Sequence, residues 1–130
     1  MKIRVIPTLF ALALVSAVGC SSSAEPGVVS MTDGSQFNPQ EITVQAGETV
    51  TWRNTSSVAH TVTAYSDSVP PDLYFSSGRA PSEEQARDRI ADELIQPDET
   101  FRSTFKETGT YEYFCIPHES SGMTGTVVVE

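Results

Sequence analysis

A thiol, an imidazole and a thioether lie close together near the carboxyl end of the chain, at Cys115, His118 and Met123. The other histidine, His60, begins a β-rich segment more than fifty residues earlier. Thiolate and imidazole groups bind soft and borderline transition metals, and a thioether can add a weaker bond. Because a loop between two strands can direct three side chains at one point, the spacing predicts a metal site that His60 completes from a neighbouring strand end.

The residue types indicate which metal this site would take. One thiolate and two imidazoles in a near-trigonal set, with a distant Met sulfur on the axis, form the donor set of a blue-copper electron-transfer site. Each residue taken alone has a plainer interpretation: Cys115 as a small hydrophobe, His118 as a loop residue, Met123 as a core filler. Their joint spacing favours a single mononuclear copper site.

Two other chemistries fit the same residues less well. Glu119 follows His118, but position 122 is Gly, so a His-Glu-x-x-His zinc motif would lack its second histidine. A Cys115–His118 nucleophile would lack an identifiable Asn or Asp to orient the imidazole, and it would leave Met123 unexplained. We therefore predict that the protein is not an enzyme.

Composition limits the remaining function classes. The 130 residues include 17 acidic and 8 basic side chains, which gives a formal net charge of −9. Nucleic-acid binding is not expected, because phosphate recognition requires a cationic surface. With two Cys, two His and three Met, a disulfide scaffold or a multi-zinc module is excluded by number.

The amino-terminal segment has the pattern of an export signal. Lys2 and Arg4 precede an apolar run, residues 5–18, that is too short for a comfortable membrane span. The run ends in Ala17-Val18-Gly19-Cys20, which resembles a lipobox, a motif cleaved before a cysteine that then carries lipid. We predict a lipoprotein signal over residues 1–19 and lipidation of Cys20. Ordinary signal cleavage nearby is the alternative.

Cleavage before Cys20 would remove Lys2, Arg4 and no acidic residue, so the net charge of the mature chain would become about −11. Residues 20–27 are small and polar, which is typical of a flexible tether. The remaining residues, 28–130, are expected to form the folded domain.

That domain has the alternation of polar and apolar residues that is typical of half-buried strands. Turn residues such as Ala46-Gly47-Glu48 separate the strand-like runs, which supports a two-sheet sandwich in an all-β domain. The predicted strands are Val28–Met31 as an edge strand, then 41–45, 49–53, 60–65, 100–105, 110–115 and 126–129.

One segment departs from the strand pattern. Ser82 with Gln85 resembles a capping box, and apolar residues then recur at helical spacing until Pro97. We predict one inserted helix, Glu83 to Gln96, packed on the sandwich by its apolar stripe: Ala86, Ile90, Ala91, Leu94 and Ile95. A docking helix for a partner is the less favoured alternative.

From about Phe37 to Glu130 the chain resembles a small blue copper protein, a cupredoxin of the plastocyanin and halocyanin type. The matching segments are Phe37-Asn38-Pro39, Val50-Thr51-Trp52-Arg53-Asn54 ahead of His60, Gly109 to Cys115, the Cys-x2-His-x4-Met loop, and Gly125 to Val129. The resemblance implies a Greek-key sandwich of seven to eight strands. It also implies one copper ion cycling between Cu(I) and Cu(II), with His60, Cys115 and His118 as strong ligands and Met123 as the weak axial one.

Two neighbours of the ligands are expected to adjust the site. By the family's pattern, Thr61 supplies a backbone N–H to the Cys115 sulfur and a side chain that braces the ligand loop. Pro117 has no N–H and cannot donate a second hydrogen bond to that sulfur, which should favour Cu(I). The chain departs from plastocyanins at Ala59, where they usually have Pro, and in the longer middle segment that contains the predicted helix.

The resulting functional prediction is a lipid-anchored type 1 copper protein that carries single electrons between membrane-associated redox partners. Donor and acceptor proteins would dock near His118, the exposed ligand, framed by Val58, Ala59, Ile116 and Pro117. We expect a monomer outside the cytoplasm, periplasmic or on the cell surface, held to the membrane by lipid on Cys20. The alternative is a lipoprotein that binds or delivers copper without redox cycling, against which a closed site with few spare Met or His argues.

Overall fold

The structure is a computed structural model that describes residues 25–130. The predicted signal segment, Cys20 and the first part of the predicted tether lie outside the described residues. Within residues 25–130 the chain forms eight strands: β1 Val28–Thr32, β2 Gln36–Asn38, β3 Glu41–Val44, β4 Thr49–Asn54, β5 Thr63–Ala64, β6 Thr100–Thr104, β7 Gly109–Phe114 and β8 Thr124–Val129. Two short helices, α1 Glu83–Asp88 and α2 Ile90–Glu93, and two 3-10 segments, Pro71–Leu73 and Ile116–Ser121, join them.

The strands form two four-stranded sheets, in the orders β2-β1-β4-β6 and β3-β8-β7-β5. β1 is parallel to β4 and β3 is parallel to β8, whereas the other pairs are antiparallel. The predicted all-β, two-sheet architecture is confirmed. The prediction of β1 as an edge strand is wrong, because the three-residue strand β2, too short to show alternation, pairs along its outer side through Phe37 and Met31.

The core lies between the sheets and is rich in aromatic side chains. In β4 the alternation buries Val50 and Trp52 completely. The Trp52 ring stacks on Phe101 at 5.5 Å between centroids and meets Tyr113 edge-on at 5.3 Å. These contacts join β4 and β6 of one sheet to β7 of the other, so the two sheets are packed together ahead of the segment that carries Cys115.

The inserted segment is helical, but the prediction of one helix over residues 83–96 is wrong. The backbone breaks at Arg89, with φ of −118° and ψ of 41°, and leaves helical geometry at Leu94. Ala86 and Ile95 are buried as predicted, whereas Ile90 is 37% exposed and Ala91 is exposed.

Two contacts explain why the helix ends early. Glu93 turns inward and is buried, where its carboxylate accepts hydrogen bonds from the Gly78 N–H at 2.7 Å and the Ser76 hydroxyl at 3.2 Å. Ile95 pairs in an isolated antiparallel bridge with His60. A continuous helix through residue 96 could not make the extended backbone that this bridge needs.

None of the helices in residues 25–130 has the length and apolar character needed to cross a membrane.

Candidate metal centre

Three predicted ligands come together at one end of the sandwich. The side-chain ligand atoms of His60, Cys115 and His118 all lie within 4.8 Å of one another. The Cys115 Sγ is 3.7 Å from Nδ1 of His60 and 3.3 Å from Nδ1 of His118. Both imidazoles therefore direct the same ring nitrogen at the thiol.

The loop between β7 and β8 carries two of these side chains. Cys115 follows the last residue of β7, and the 3-10 segment Ile116–Ser121 then turns His118 back towards it. The His118 N–H donates to the Cys115 carbonyl at 3.1 Å, and Gly122 ends the segment in left-handed conformation with φ of 80°. The loop is therefore held by its own backbone.

Met123 closes that loop from the other side. Its carbonyl accepts from the Cys115 N–H at 3.0 Å, and its N–H donates to the His118 carbonyl at 3.2 Å. The Met123 side chain is fully buried immediately before β8. Its backbone is thus bonded to both ligand-bearing residues of the loop.

His60 reaches the site from the segment between β4 and β5. Its N–H donates to the Ile95 carbonyl at 3.2 Å and its carbonyl accepts from the Ile95 N–H at 2.8 Å. The His60 side chain is completely buried, and its Nε2 lies 2.8 Å from the Ser56 hydroxyl. His118 is half-buried, so of the two imidazoles it is the one open to solvent.

Thr61 makes both contacts that the family resemblance implied. Its backbone N–H donates to the Cys115 Sγ at 3.3 Å, and its hydroxyl accepts from the Ile116 N–H at 2.8 Å. Pro117 is exposed on the loop, and as a proline it has no N–H to offer the sulfur. Thr61, which follows His60, therefore holds Ile116, which follows Cys115.

Burial shifts the pKa values of two of the candidate ligands. It lowers the pKa of His60, an effect that the neighbouring charge of His118 increases, so the fold favours the neutral imidazole, the form that binds a metal. Burial also raises the pKa of the Cys115 thiol, although the hydrogen bond from the Thr61 N–H acts in the opposite direction. A metal must therefore displace a proton from the sulfur.

The arrangement fits copper. A buried thiol and two imidazole Nδ1 atoms converge on one point, and a buried methionine is bonded through its backbone to the same loop. Such a set, with a long axial Met, is the one that type 1 copper takes. The backbone bonds and the buried surroundings restrict how far these side chains can move.

The roles of several residues around the ligands were not anticipated from the sequence. Asn54 and Ser56 form a buried hydrogen-bonded group beside His60, and Ile95 pairs with its backbone. The sequence offered one clue for each of the first two residues. Asn54 ends the alternating pattern of β4, and Ser56 lies four residues before His60. Arg87 contacts Glu119 from the insert, and nothing in the local sequence of either residue indicated that contact.

Exposed apolar side chains flank both histidines in the sequence. Val58 is 45% exposed two residues before His60, and Pro117 is exposed one residue before His118. Ala59 and Ile116 are half-buried. Cys20, the predicted lipidation site, lies outside the residues that the structure describes.

A family model and the sequences of known plastocyanins both match this chain. Residues 27–130 match the family model described as copper binding proteins, plastocyanin/azurin family. Plastocyanin of Scenedesmus fuscus is 38% identical over 94 residues, covering 72% of this chain and 86% of that protein. Chloroplastic plastocyanin of Physcomitrium patens is 37% identical over 122 residues, covering 91% of this chain and 66% of that protein.

Solved structures agree with the sequence matches. The oxidised form of plastocyanin from Dryopteris crassirhizoma has a TM-score of 0.57 and 26% identity, and the match covers 79% of this chain and 99% of that one. A purple cupredoxin from Nitrosopumilus maritimus has a TM-score of 0.59 at 22% identity, covering 79% of this chain and 98% of that one, and so supports the fold.

Proposed function

Because this chain belongs to the plastocyanin/azurin family of copper-binding proteins, we propose that it carries single electrons at a copper ion held by His60, Cys115, His118 and Met123. The observation that carries the proposal is the convergence of one Sγ and two Nδ1 atoms within 4.8 Å. Copper bound there supplies one-electron chemistry, changing between Cu(I) and Cu(II).

The protein's own part is to keep the ligands in one arrangement. The backbone bonds among Cys115, His118 and Met123 fix the loop, and the backbone bridge to Ile95 fixes His60. A thiolate and two neutral imidazoles would bind both Cu(I) and Cu(II), and the fixed loop would limit how far these side chains move between the two states. The buried side of the site excludes water, and half-buried His118 offers a partner the shortest approach.

The spectrum of the purified, copper-loaded protein tests this function. An oxidised sample should absorb strongly in the visible region and show the narrow hyperfine splitting of a Cu(II)–thiolate site in paramagnetic resonance. Cys115→Ser should lose both features, and Cys20→Ser, which removes the other cysteine, should keep them. An oxidised, copper-loaded protein without the intense visible band would contradict electron transfer at this site.

We place partner docking at the surface around His118, with the exposed residues Val58 and Pro117 at its edge. Electron self-exchange between oxidised and reduced copies, measured by NMR line broadening, probes this surface without an identified partner. Val58→Asp should slow self-exchange, because two added carboxylates would repel each other at the approach. Ala46→Asp adds the same charge in the exposed turn before β4, at the other end of that strand, and should have little effect. Equal rates in the two variants would contradict docking at His118.

The remaining parts of the proposal concern location. We propose that residues 1–19 direct export, that Cys20 carries lipid, and that residues 20–27 tether a monomeric domain, residues 28–130, to the membrane beside its redox partners. The support is the lipobox-like sequence ending at Cys20. The wild-type protein should fractionate with membranes and carry a diacylglyceryl mass on its first residue, whereas Cys20→Ser should be soluble. A wild-type protein recovered without lipid would contradict the anchor.

A further inference from the structure

We propose that Ser56 is a positioning residue for the His60 imidazole, and that Asn54 orients the Ser56 hydroxyl so that it accepts the Nε2–H of that ring. The arrangement would present an unprotonated Nδ1 to the metal before any metal binds. This inference rests on the proposed role of His60 as a copper ligand. It concerns how the chain prepares that ligand.

The contact itself is short and enclosed. Nε2 of His60 lies 2.8 Å from the Ser56 Oγ, while Nδ1 of the same ring faces the Cys115 Sγ at 3.7 Å. His60 is fully buried and Ser56 is 6% exposed. The two ring nitrogens therefore have separate environments, one facing a hydroxyl and the other facing the candidate metal position.

The orientation of the Asn54 amide determines which way the hydrogen bonds run. Its Nδ2 donates to the Val58 carbonyl at 2.7 Å and to the Ile95 carbonyl at 2.9 Å. Both amide protons are thereby used, and Oδ1 must face the other way. There it accepts from the Ser56 N–H at 3.0 Å and from the Ser56 hydroxyl at 2.7 Å.

A hydroxyl has one proton, and in this group it goes to an oxygen. The Asn54 Oδ1 is the closer acceptor, and the Val58 carbonyl at 2.9 Å is the alternative. Either choice leaves only a lone pair of the Ser56 Oγ to face His60. The ring must then donate from Nε2, and a neutral imidazole that is protonated there has its lone pair on Nδ1.

Asn54 also contacts the backbone segment that holds His60. The Ile95 carbonyl accepts from Asn54 Nδ2 and also from the His60 N–H at 3.2 Å. Next to Ser56, the N–H and hydroxyl of Ser57 both donate to the Asp33 carboxylate, at 2.8 and 2.9 Å, which anchors the turn from outside. The position of the Ser56 hydroxyl is therefore set from both sides of the turn.

Removing an outer partner that orients a metal-binding imidazole typically lowers the metal affinity by about 10- to 100-fold. Ser56→Ala should lower Cu(I) affinity by roughly this factor. Ser56→Thr keeps the hydroxyl and should recover most of the affinity. Ser57→Ala removes a neighbouring hydroxyl that contacts Asp33 and not His60, and it keeps the Ser57 N–H that anchors the turn to the same carboxylate, so it is the matched control and should stay close to wild type.

Nitrogen-15 NMR of the metal-free protein reads the tautomer directly, without copper. Wild-type His60 should have the proton on Nε2, in slow exchange with water and hydrogen-bonded, whereas Ser56→Ala should give faster exchange of that proton. A wild-type ring with its proton on Nδ1 would overturn the inference, and so would Ser56→Ala with unchanged exchange and unchanged Cu(I) affinity. If Ser56→Ala does not fold, the wild-type tautomer alone decides the question.

The two proposals fail in different measurements. A wild-type protein with the Nε2–H tautomer but no copper–thiolate spectrum would contradict the electron-carrier function and leave the Ser56 contact intact. A normal blue-copper spectrum combined with an Nδ1–H tautomer in the metal-free state would do the reverse.

Discussion

The Arg87 guanidinium forms a two-point ion pair with the Glu119 carboxylate, the residue that follows His118. Nη1 lies 2.7 Å from Oε2 and Nη2 lies 3.1 Å from Oε1. The same guanidinium pairs with Glu83 one turn earlier in α1, and its carbon lies 4.4 Å above the Phe114 ring, next to Cys115. The inserted helix is thus fastened to the loop that carries three candidate ligands.

Arg87→Gln should loosen that loop more than it destabilises the whole fold. The ion pair is partly exposed, so we expect a loss of about 0.5–1 kcal/mol in the free energy of unfolding. Hydrogen exchange should rise more clearly for the backbone N–H of His118 and Gly122. Arg102→Gln, an exposed substitution on β6, is the control. Equal exchange in the two variants would contradict a bracing role for Arg87.

The same contact predicts a pH dependence. The hydrogen bonds from Arg87 lower the pKa of Glu119 below its ordinary value of 4.5. The folded state therefore favours the charged carboxylate, and its stabilisation is present above pH 4.5 and is lost as the pH falls through the lowered pKa. The difference in melting temperature between wild type and Glu119→Gln should be present at neutral pH and shrink in acid. A difference independent of pH would contradict this linkage.

Sequence patterns predicted the ligand loop and most strands because the information there is local. Cys115, His118 and Met123 lie on one short loop, and period-two burial in β4 is visible from Val50 and Trp52 alone. The break in the insert could not be read in this way. It depends on Glu93 meeting the Gly78 N–H from a distant loop, and helical spacing treats a glutamate as solvent-facing.

The residues around His60 were missed for a similar reason. Asn54 and Ser56 have the composition of an ordinary turn, and a turn was all that the sequence indicated. Both side chains are buried, and the Asn54 amide reaches the Ile95 carbonyl where the insert returns to the sandwich. Ser56, which contacts His60, is therefore close to it in sequence, whereas Asn54 is held by Ile95, about forty residues further along the chain.

Thr61→Ala should change the copper site without unfolding the protein. The Thr61 hydroxyl accepts the Ile116 N–H at 2.8 Å, and its loss leaves that N–H without this partner next to Cys115. We expect weaker copper retention and a shifted reduction potential, because the thiolate's position and hydrogen bonding tune such a site. Copper content after dialysis and a redox titration measure both effects.

Thr61→Ser is the matched control for that substitution. It keeps the hydroxyl and the backbone N–H that donates to the Cys115 sulfur, so it should remain close to wild type in both measurements. An alanine variant with an unchanged potential and unchanged copper retention would contradict the role of the hydroxyl.

Glu93→Gln should destabilise the insert and, through it, loosen the backbone of His60. Its carboxylate accepts from the Ser76 hydroxyl and the Gly78 N–H with 1% of the residue exposed, and an amide supplies only one accepting oxygen. One buried donor would lose its partner, at a cost of about 1–3 kcal/mol in the free energy of unfolding. Denaturant unfolding of the metal-free protein measures this cost.

The neighbouring substitution Asp92→Asn removes the same charge from an exposed side chain and should cost little. It separates the effect of burial from the effect of net charge. Since Ile95 follows Glu93 by two residues and pairs with the His60 backbone, Glu93→Gln should also speed exchange of the His60 N–H, whereas Asp92→Asn should not. If Glu93→Gln lowers the free energy of unfolding without speeding exchange of the His60 N–H, the Ile95 bridge holds without the buried carboxylate. That result would contradict the prediction that Glu93 helps to position His60.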